Sequence, residues 1–254
     1  MRLALLSDIH ANRQALDACL AHAEAAGAER LAFLGDLVGY GGDPAYVVQR
    51  VMELAAQGAL VVKGNHDMYA IEAAGEGKTL GQAGVLWTQQ QLSVEQRRFL
   101  AELPLTLHQP PLLLVHASAA APDRWHYVET PQLAALSLDA ACEPPIGGPD
   151  VHYVFGGHVH RQTLYYRGGT GKLMPFTPTA GVPIPVPRHR RWLATVGSVG
   201  QPRDGRSDAM YALFDDAARQ LTFHRVPYDA PAAAQAIRAT PMPPFFADRL
   251  ELGR

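Results

Sequence analysis

With 254 residues, 48% of them apolar, and a formal net charge of -2, the chain can bury a large core but lacks the basic surplus of phosphate-backbone binders. No stretch reaches the roughly 18 consecutive apolar residues that a membrane span requires. Met1-Arg2-Leu3 runs straight into a predicted strand, so no secretory leader is expected, and Cys19 and Cys142 are too few for a disulfide framework. A single domain over residues 1–254 in a reducing cytoplasm is therefore expected, without a membrane or nucleic-acid partner and with its oligomeric state open.

The first strand is predicted at residues 3–6 and delivers Asp8 and His10, two apart and hence on one side of an extended segment. Asn12 reads as the N-cap of a helix that buries Leu16, Cys19, Leu20 and Ala23 and stops at Gly27. An apolar strand at residues 31–36 ends in Gly35-Asp36 and completes a βαβ unit, which implies parallel pairing. Gly39-Tyr40-Gly41-Gly42 fits neither phosphate-loop spacing and reads as a tight loop lying close to the site. Asp43-Pro44 opens a helix that buries Val47, Val48, Val51 and Leu54 and stops at Gly58; the next strand, residues 59–63, delivers Gly64-Asn65-His66-Asp67.

Residues 68–102 read as largely helical, with Ser93-Val94-Glu95-Gln96 as a capping box. Strands at 105–107 and 112–115 flank the reversal Gln109-Pro110-Pro111, and the second ends in His116. Thr130-Pro131 opens one more helix, and a strand at 151–155 ends in Gly156-Gly157-His158-Val159-His160. Short strands follow at 163–167, 191–196, 211–214 and 221–226. Residues 168–189, rich in Gly, Pro and Thr, are expected to form an extended surface loop or hairpin that gates or caps a substrate. Alternating βα units followed by consecutive strands predict two packed mixed sheets with helices outside.

Five apolar runs thus end in Asp, Asn or His, which are hard-to-borderline metal ligands, at the strand ends where open α/β sheets place their sites. Taken singly, a histidine at a strand tip is more often a structural residue; five such tips together reverse that reading. His22, His108, His126, His152, His189 and His224 lie outside the motifs, and of these only His126, in Trp125-His126-Tyr127, stands near enough to His116 to line a pocket. Arg188-His189-Arg190-Arg191 reads as a solvated basic run, and Arg203 as either a phosphate contact or a structural ion pair.

In this order, Asp8-Ile9-His10, Gly35-Asp36, Gly64-Asn65-His66-Asp67, Val115-His116-Ala117 and Gly157-His158-Val159-His160 resemble the calcineurin-like metallophosphoesterase superfamily. Gly197-Ser198-Val199-Gly200 resembles the closing loop of its small bacterial phosphodiesterase-like branch. The resemblance implies a four-layer α/β/β/α sandwich of two mixed sheets with two divalent metal ions (Mn, Fe, Zn or Mg) at one edge. It assigns one ion to Asp8, His10, Asp36 and His160, and the other to Asp36, Asn65, His116 and His158, so that Asp36 bridges. Such a pair sits about 3.5–4 Å apart and clamps both ends of an in-line displacement. Two carboxylates against two such ions leave a surplus of about two positive charges, suited to an anionic phosphoester. Water bound there is acidified and becomes the hydroxide nucleophile.

The resemblance gives His66 the role of protonating the leaving oxygen or stabilising charge on it; Asp67 is expected to orient that imidazole, or else simply to cap the next helix, and Asn65 to stand near the substrate as well. The expected function is hydrolysis of phosphodiester or phosphomonoester bonds in small molecules. The alternatives are a non-catalytic scaffold on the same fold, against which the intact ligand set argues, and a nuclease or protein phosphatase. The missing basic surplus counts against a nuclease, and the short loops against a folded protein substrate.

Overall fold

The computed structural model describes residues 1–72, 79–167 and 171–254. Strand β1 (Arg2–Leu6) alternates its faces with period two: Leu3 and Leu5 point into one core cluster, Ala4 and Leu6 into another. Helix α1 (Arg13–Ala25) follows, and Asn12 caps it by accepting from the Ala15 N–H at 3.0 Å. Strand β2 (Arg30–Phe33), helix α2 (Pro44–Ala56) and strand β3 (Leu60–Val61) repeat the unit, and β1, β2 and β3 pair in parallel. Cys19 lies fully buried on the inner face of α1, where burial raises its thiol pKa.

Three helices then occupy the region expected to be helical: α3 (Asn65–Tyr69), α4 (Leu80–Gln91) and α5 (Val94–Glu102). The Ser93 capping box forms as expected, with Ser93 Oγ accepting from Gln96 N–H and Gln96 Oε1 from Ser93 N–H. Strands β4 (Thr106–Gln109) and β5 (Leu112–Val115) form the antiparallel reversal. Helix α6 (Pro131–Ala141) and strand β6 (Tyr153–Gly156) follow, and β5 and β6 pair in parallel.

The second half is strand-rich: β7 (Gln162–Arg167), β8 (Leu173–Phe176), β9 (Ile184–Pro185), β10 (Trp192–Val196), β11 (Ala209–Asp215) and β12 (Gln220–Val226). The two sheets run β3-β2-β1-β11-β12-β9 and β4-β5-β6-β10-β7-β8. Between them lies a dry core that includes Leu3, Leu5, Tyr153, Phe155, Phe214 and Phe223. Helices α1 and α2 cover the outer face of the first sheet, and α6 that of the second, which completes the α/β/β/α layering. No helix among the described residues is long and apolar enough to cross a membrane.

Two features depart from the sequence reading. The chain closes with helices α7 (Ala230–Arg238) and α8 (Phe245–Leu252), which no strand or helix pattern had marked. They pack as a pair through Ile237, Met242, Phe246 and Leu250 against Tyr40, Trp87 and Tyr228. In the segment expected to gate the substrate, the described residues 171–189 run along the edges of the sandwich. Its expected Gly168-Gly169 turn lies outside the described residues, while β8 extends one sheet and β9 pairs with β12 in the other. Val186 is buried between the sheets and its carbonyl accepts from the Tyr153 hydroxyl at 2.7 Å. The Ile184–Pro185 pairing lies beside Gln220 and Leu221, at the end of the sheet opposite the tips that carry Asp8 and Asp36.

Candidate metal centre

The tips of β1, β2, β5 and β6 and the first turn of α3 bring all seven expected ligands together. In one group, Asp8 Oδ1 and His10 Nε2 both lie 3.1 Å from His160 Nε2, and His10 Nε2 lies 3.8 Å from Asp36 Oδ2. In the other, His116 Nε2 lies 3.2 Å from both Asn65 Oδ1 and His158 Nδ1, and 3.3 Å from Asp36 Oδ2. Asp36 Oδ2 belongs to both groups. All seven residues are buried, none more than 7% exposed.

Three imidazoles are fixed from behind. His10 Nδ1 lies 3.1 Å from Val38 O, His116 Nδ1 2.7 Å from Leu34 O, and His160 Nδ1 2.6 Å from Gln201 O, and in each contact only an N–H can donate. In the neutral rings this leaves every Nε2 lone pair turned inward, toward other acceptors. Asp8 Oδ1 is buried and receives no hydrogen bond. Lone pairs and carboxylate oxygens packed this closely in a buried site repel one another unless a cation lies between them, so the donor set fits divalent metal ions.

The backbone here is strained. Asp8, His10, Asp36, His158 and His160 all have left-handed φ, between 49° and 66°. Each such residue costs about 1–3 kcal/mol and persists only where its surroundings over-determine it. Those surroundings are visible: Asp8 N–H donates to Gly35 O and His10 N–H to Asp36 O, both at 3.0 Å. The Gly197–Gly200 loop clasps Asp8 from the other side, with Gly200 N–H and Ser198 Oγ both donating to Asp8 O. His158 N–H donates to Asp8 Oδ2 at 2.9 Å. Gly157 is needed for this approach, because a Cβ there would overlap Ser7 Oγ and Asp8 Oδ2.

Burial works to raise Asp8 and Asp36, yet the neighbouring imidazoles, His160 for Asp8 and His116 for Asp36, hold both carboxyls well below the usual range. Burial lowers His10 and His66, and with the charge of His116 it takes His158 down to about 4. His116 goes the other way: burial opposes it, but the carboxylates of Asp36 and Asp8 push it up to about 9 in the metal-free chain.

His66 sits beside both groups. Its backbone N–H donates to Asp36 Oδ1 at 2.8 Å, and its ring meets His10 edge-on with centroids 5.0 Å apart. Of its two expected roles, Asp67 takes the helix cap and makes no contact with that ring. Its Oδ1 accepts from Leu37 N–H (2.8 Å) and Val38 N–H (3.4 Å), and its Oδ2 from Gly64 N–H (2.9 Å). The carboxylate therefore caps α3 and ties it to the Asp36 loop. Burial and the charge of Asp36 push its pKa up to about 7 against the pull of those amides. Aromatic rings hold His66 instead, with Tyr40 at 4.4 Å and Tyr69 at 5.7 Å between centroids. Gly39 leaves the space, since a Cβ there would lie 2.5 Å from His66 Nδ1.

Arg203 stands at the rim, half-buried, with its guanidinium 5.9 Å from the Tyr40 ring centroid and donating to Gln201 Oε1 at 3.0 Å. His126 lies away from the centre, in a recess with Ser118 and Leu133. Its neighbour Tyr127 is the residue that reaches the centre, stacking on His158 with centroids 4.0 Å apart. Tyr69 and Phe246 were not singled out from the sequence, whereas Tyr40 and Tyr127 stand in stretches expected near the site. All four line an open cleft of about 440 Å³ beside His66 and Asn65.

The calcineurin-like phosphoesterase superfamily domain model matches residues 1–218. The chain is 30% identical over 258 residues to an uncharacterised protein of Methanocaldococcus jannaschii, covering 99% of this chain and 98% of the relative. It superposes on a metallophosphoesterase from Sphaerobacter thermophilus with a TM-score of 0.88 and 32% identity, covering 100% and 99% of the two chains. A hypothetical protein from Pyrococcus horikoshii shares the fold, with a TM-score of 0.77 at 19% identity over 100% and 98% of the chains. Seven buried candidate ligands at the strand tips and the start of α3 and a family match over most of the length agree: the chain belongs to the calcineurin-like phosphoesterase superfamily.

Proposed function

We propose that the chain is a metal-dependent phosphoric ester hydrolase that holds two divalent ions and cleaves phosphodiester or phosphomonoester bonds of small molecules. The observation that carries this reading is the single Asp36 oxygen shared by two acceptor groups, Asp8–His10–His160 and Asn65–His116–His158. When bound, such a pair of ions neutralises phosphoryl charge and lowers the pKa of water toward neutrality.

The remaining chemistry falls to side chains of the chain. Carbonyl contacts hold the His10, His116 and His160 rings in one tautomer, so no reorganisation accompanies reaction. Burial lowers the His66 pKa, and its ring N–H is available as a hydrogen-bond donor to the charge developing on the leaving oxygen. Asn65 presents its amide between the metal-binding groups and the cleft, and the Arg203 charge at the rim is available to a phosphoryl oxygen.

The test is a screen of phosphomonoesters, phosphodiesters and nucleotide anhydrides with protein reconstituted separately with Mn, Fe, Zn or Mg. Metal-dependent turnover of at least one class, lost in Asp36→Asn, is expected. Metal-loaded protein that turns over none of them would favour the scaffold reading.

A further inference from the structure

Beside His66 the open cleft of about 440 Å³ falls in the range of pockets that enclose a small organic group. Four aromatic rings from separate parts of the chain line it, and α4 supplies a further wall through Gly81, Gln82, Gly84 and Val85. Tyr40 follows β2, Tyr69 ends α3 and Phe246 belongs to α8, the closing helix that lies beyond the family-matched residues 1–218. Phe246 is 4% exposed and its ring lies 5.3 Å from that of Tyr40. Tyr69 and Tyr127, by contrast, are 39% and 47% exposed at the mouth, large rings left in water next to a polar centre.

Charge divides the surroundings of the centre in two. Among the described residues no Lys or Arg lines the cleft, and the acidic residue on its wall is Glu72. Arg161 and Arg203 line a second recess together with a single carboxylate, Glu129, with Tyr127 standing between the two. A leaving group bearing a further phosphate would meet aromatic rings and a carboxylate in the cleft, whereas a flat uncharged group would bury apolar surface against them. His66 and Asn65 form the inner end of the cleft, so what occupies it is the part of the ester that His66 serves.

We propose that this cleft receives the leaving alcohol, that the alcohol is an uncharged aromatic one, and that α8 is the element that selects it. The charged remainder of a phosphodiester then faces the Arg161 and Arg203 recess. This rests on the phosphoesterase reading and adds a substrate class to it. The closing helices thus supply specificity to a centre built from the β-strand tips.

The test compares two methyl phosphodiesters whose leaving alcohols have similar acidity, 2-naphthylmethanol and isobutanol, on the metal-reconstituted full chain. The naphthylmethyl ester is expected to have the higher kcat/KM by about tenfold or more. Phe246→Ala removes one wall, and Gly84→Leu narrows the cleft from α4, where a Cβ would stand 3.7 Å from the Phe246 ring. Each, and Tyr127→Ala at the exposed mouth, is expected to cut that preference severalfold. Gly84→Leu gains helix propensity but presses its branches on the buried Phe246 and Met242, so Tyr127→Ala carries the test where that variant does not fold. Binding of free 2-naphthylmethanol to the metal-free chain, followed by saturation-transfer NMR, provides a readout that needs no catalysis and should weaken in every variant that folds. Turnover with no preference between the esters, together with unaltered naphthylmethanol binding in the variants that fold, would overturn the cleft assignment and leave the hydrolase standing. Cleft-dependent binding without turnover of any phosphoester would overturn the hydrolase reading and, with it, the leaving-group role.

Discussion

Asp67 separates a positioning role from a scaffolding one, and its three amide contacts allow the cost to be worked out in advance. In Asp67→Asn, whichever way the amide is turned, its NH2 group meets a backbone N–H, of Gly64 on one side or of Leu37 on the other. One buried N–H then loses its acceptor, at about 1–3 kcal/mol. Asp67→Ala strands the amides of Gly64 and Leu37 together and is expected to cost about 2–6 kcal/mol. For a chain of this length each kcal/mol lowers Tm by roughly 2–4 °C. Chemical denaturation of the chelated protein, with metal content measured alongside, reads both effects. The alanine variant should also hold metal more weakly, because Asp67 ties α3, which carries Asn65, to the loop that follows Asp36. An asparagine variant of unchanged stability that still lost turnover selectively on poor leaving groups would refute this reasoning and return Asp67 to the imidazole.

His66→Ala should lower turnover of a poorly activated alkyl or nucleoside ester by about 10²–10⁴ and that of an aryl ester by less, with metal content unchanged; equal losses on both would indicate positioning rather than assistance to the leaving oxygen. Metal affinity should depend on pH through His116. Its folded pKa of about 9 lies above the ordinary 6.5, so its protonation stabilises the metal-free fold fully below 6.5 and that contribution is lost as pH rises through 9. A divalent ion must displace this proton, so affinity should rise across that window with proton release. Calorimetric titrations in buffers of different ionisation enthalpy measure it, and a pH-independent affinity would contradict the arrangement.

The candidate ligands were legible because five short apolar runs all end in Asp, Asn or His; any one such ending has ordinary structural reasons, and only their number pointed to a shared site. Leu3-Ala4-Leu5-Leu6 is apolar throughout, which marks a strand buried on both faces but does not say that Leu3 and Leu5 face the opposite sheet while Ala4 and Leu6 face α1. The left-handed backbone at Asp8, His10, Asp36, His158 and His160 was not legible, since none is glycine and the conformation is imposed by hydrogen bonds from distant loops. Asp67 was ambiguous in principle: an Asp at the third position of a helix can reach back to its cap or sideways to a neighbour, and packing decides. The cleft escaped because its walls are assembled from positions as far apart as Tyr40 and Phe246. The Gly and Pro content of residues 168–189 says where a chain bends and not which sheet edge its described part follows.

The most direct measurement is anomalous diffraction from crystals of the Mn-reconstituted chain, collected for the wild type and for Asp36→Asn. Two peaks are predicted in the wild type, one among Asp8, His10 and His160 and the other among Asn65, His116 and His158, with the Asp36 carboxylate between them and both weakened in the variant. A single peak, or two of undiminished occupancy without the Asp36 carboxylate, would contradict the bridged two-ion centre.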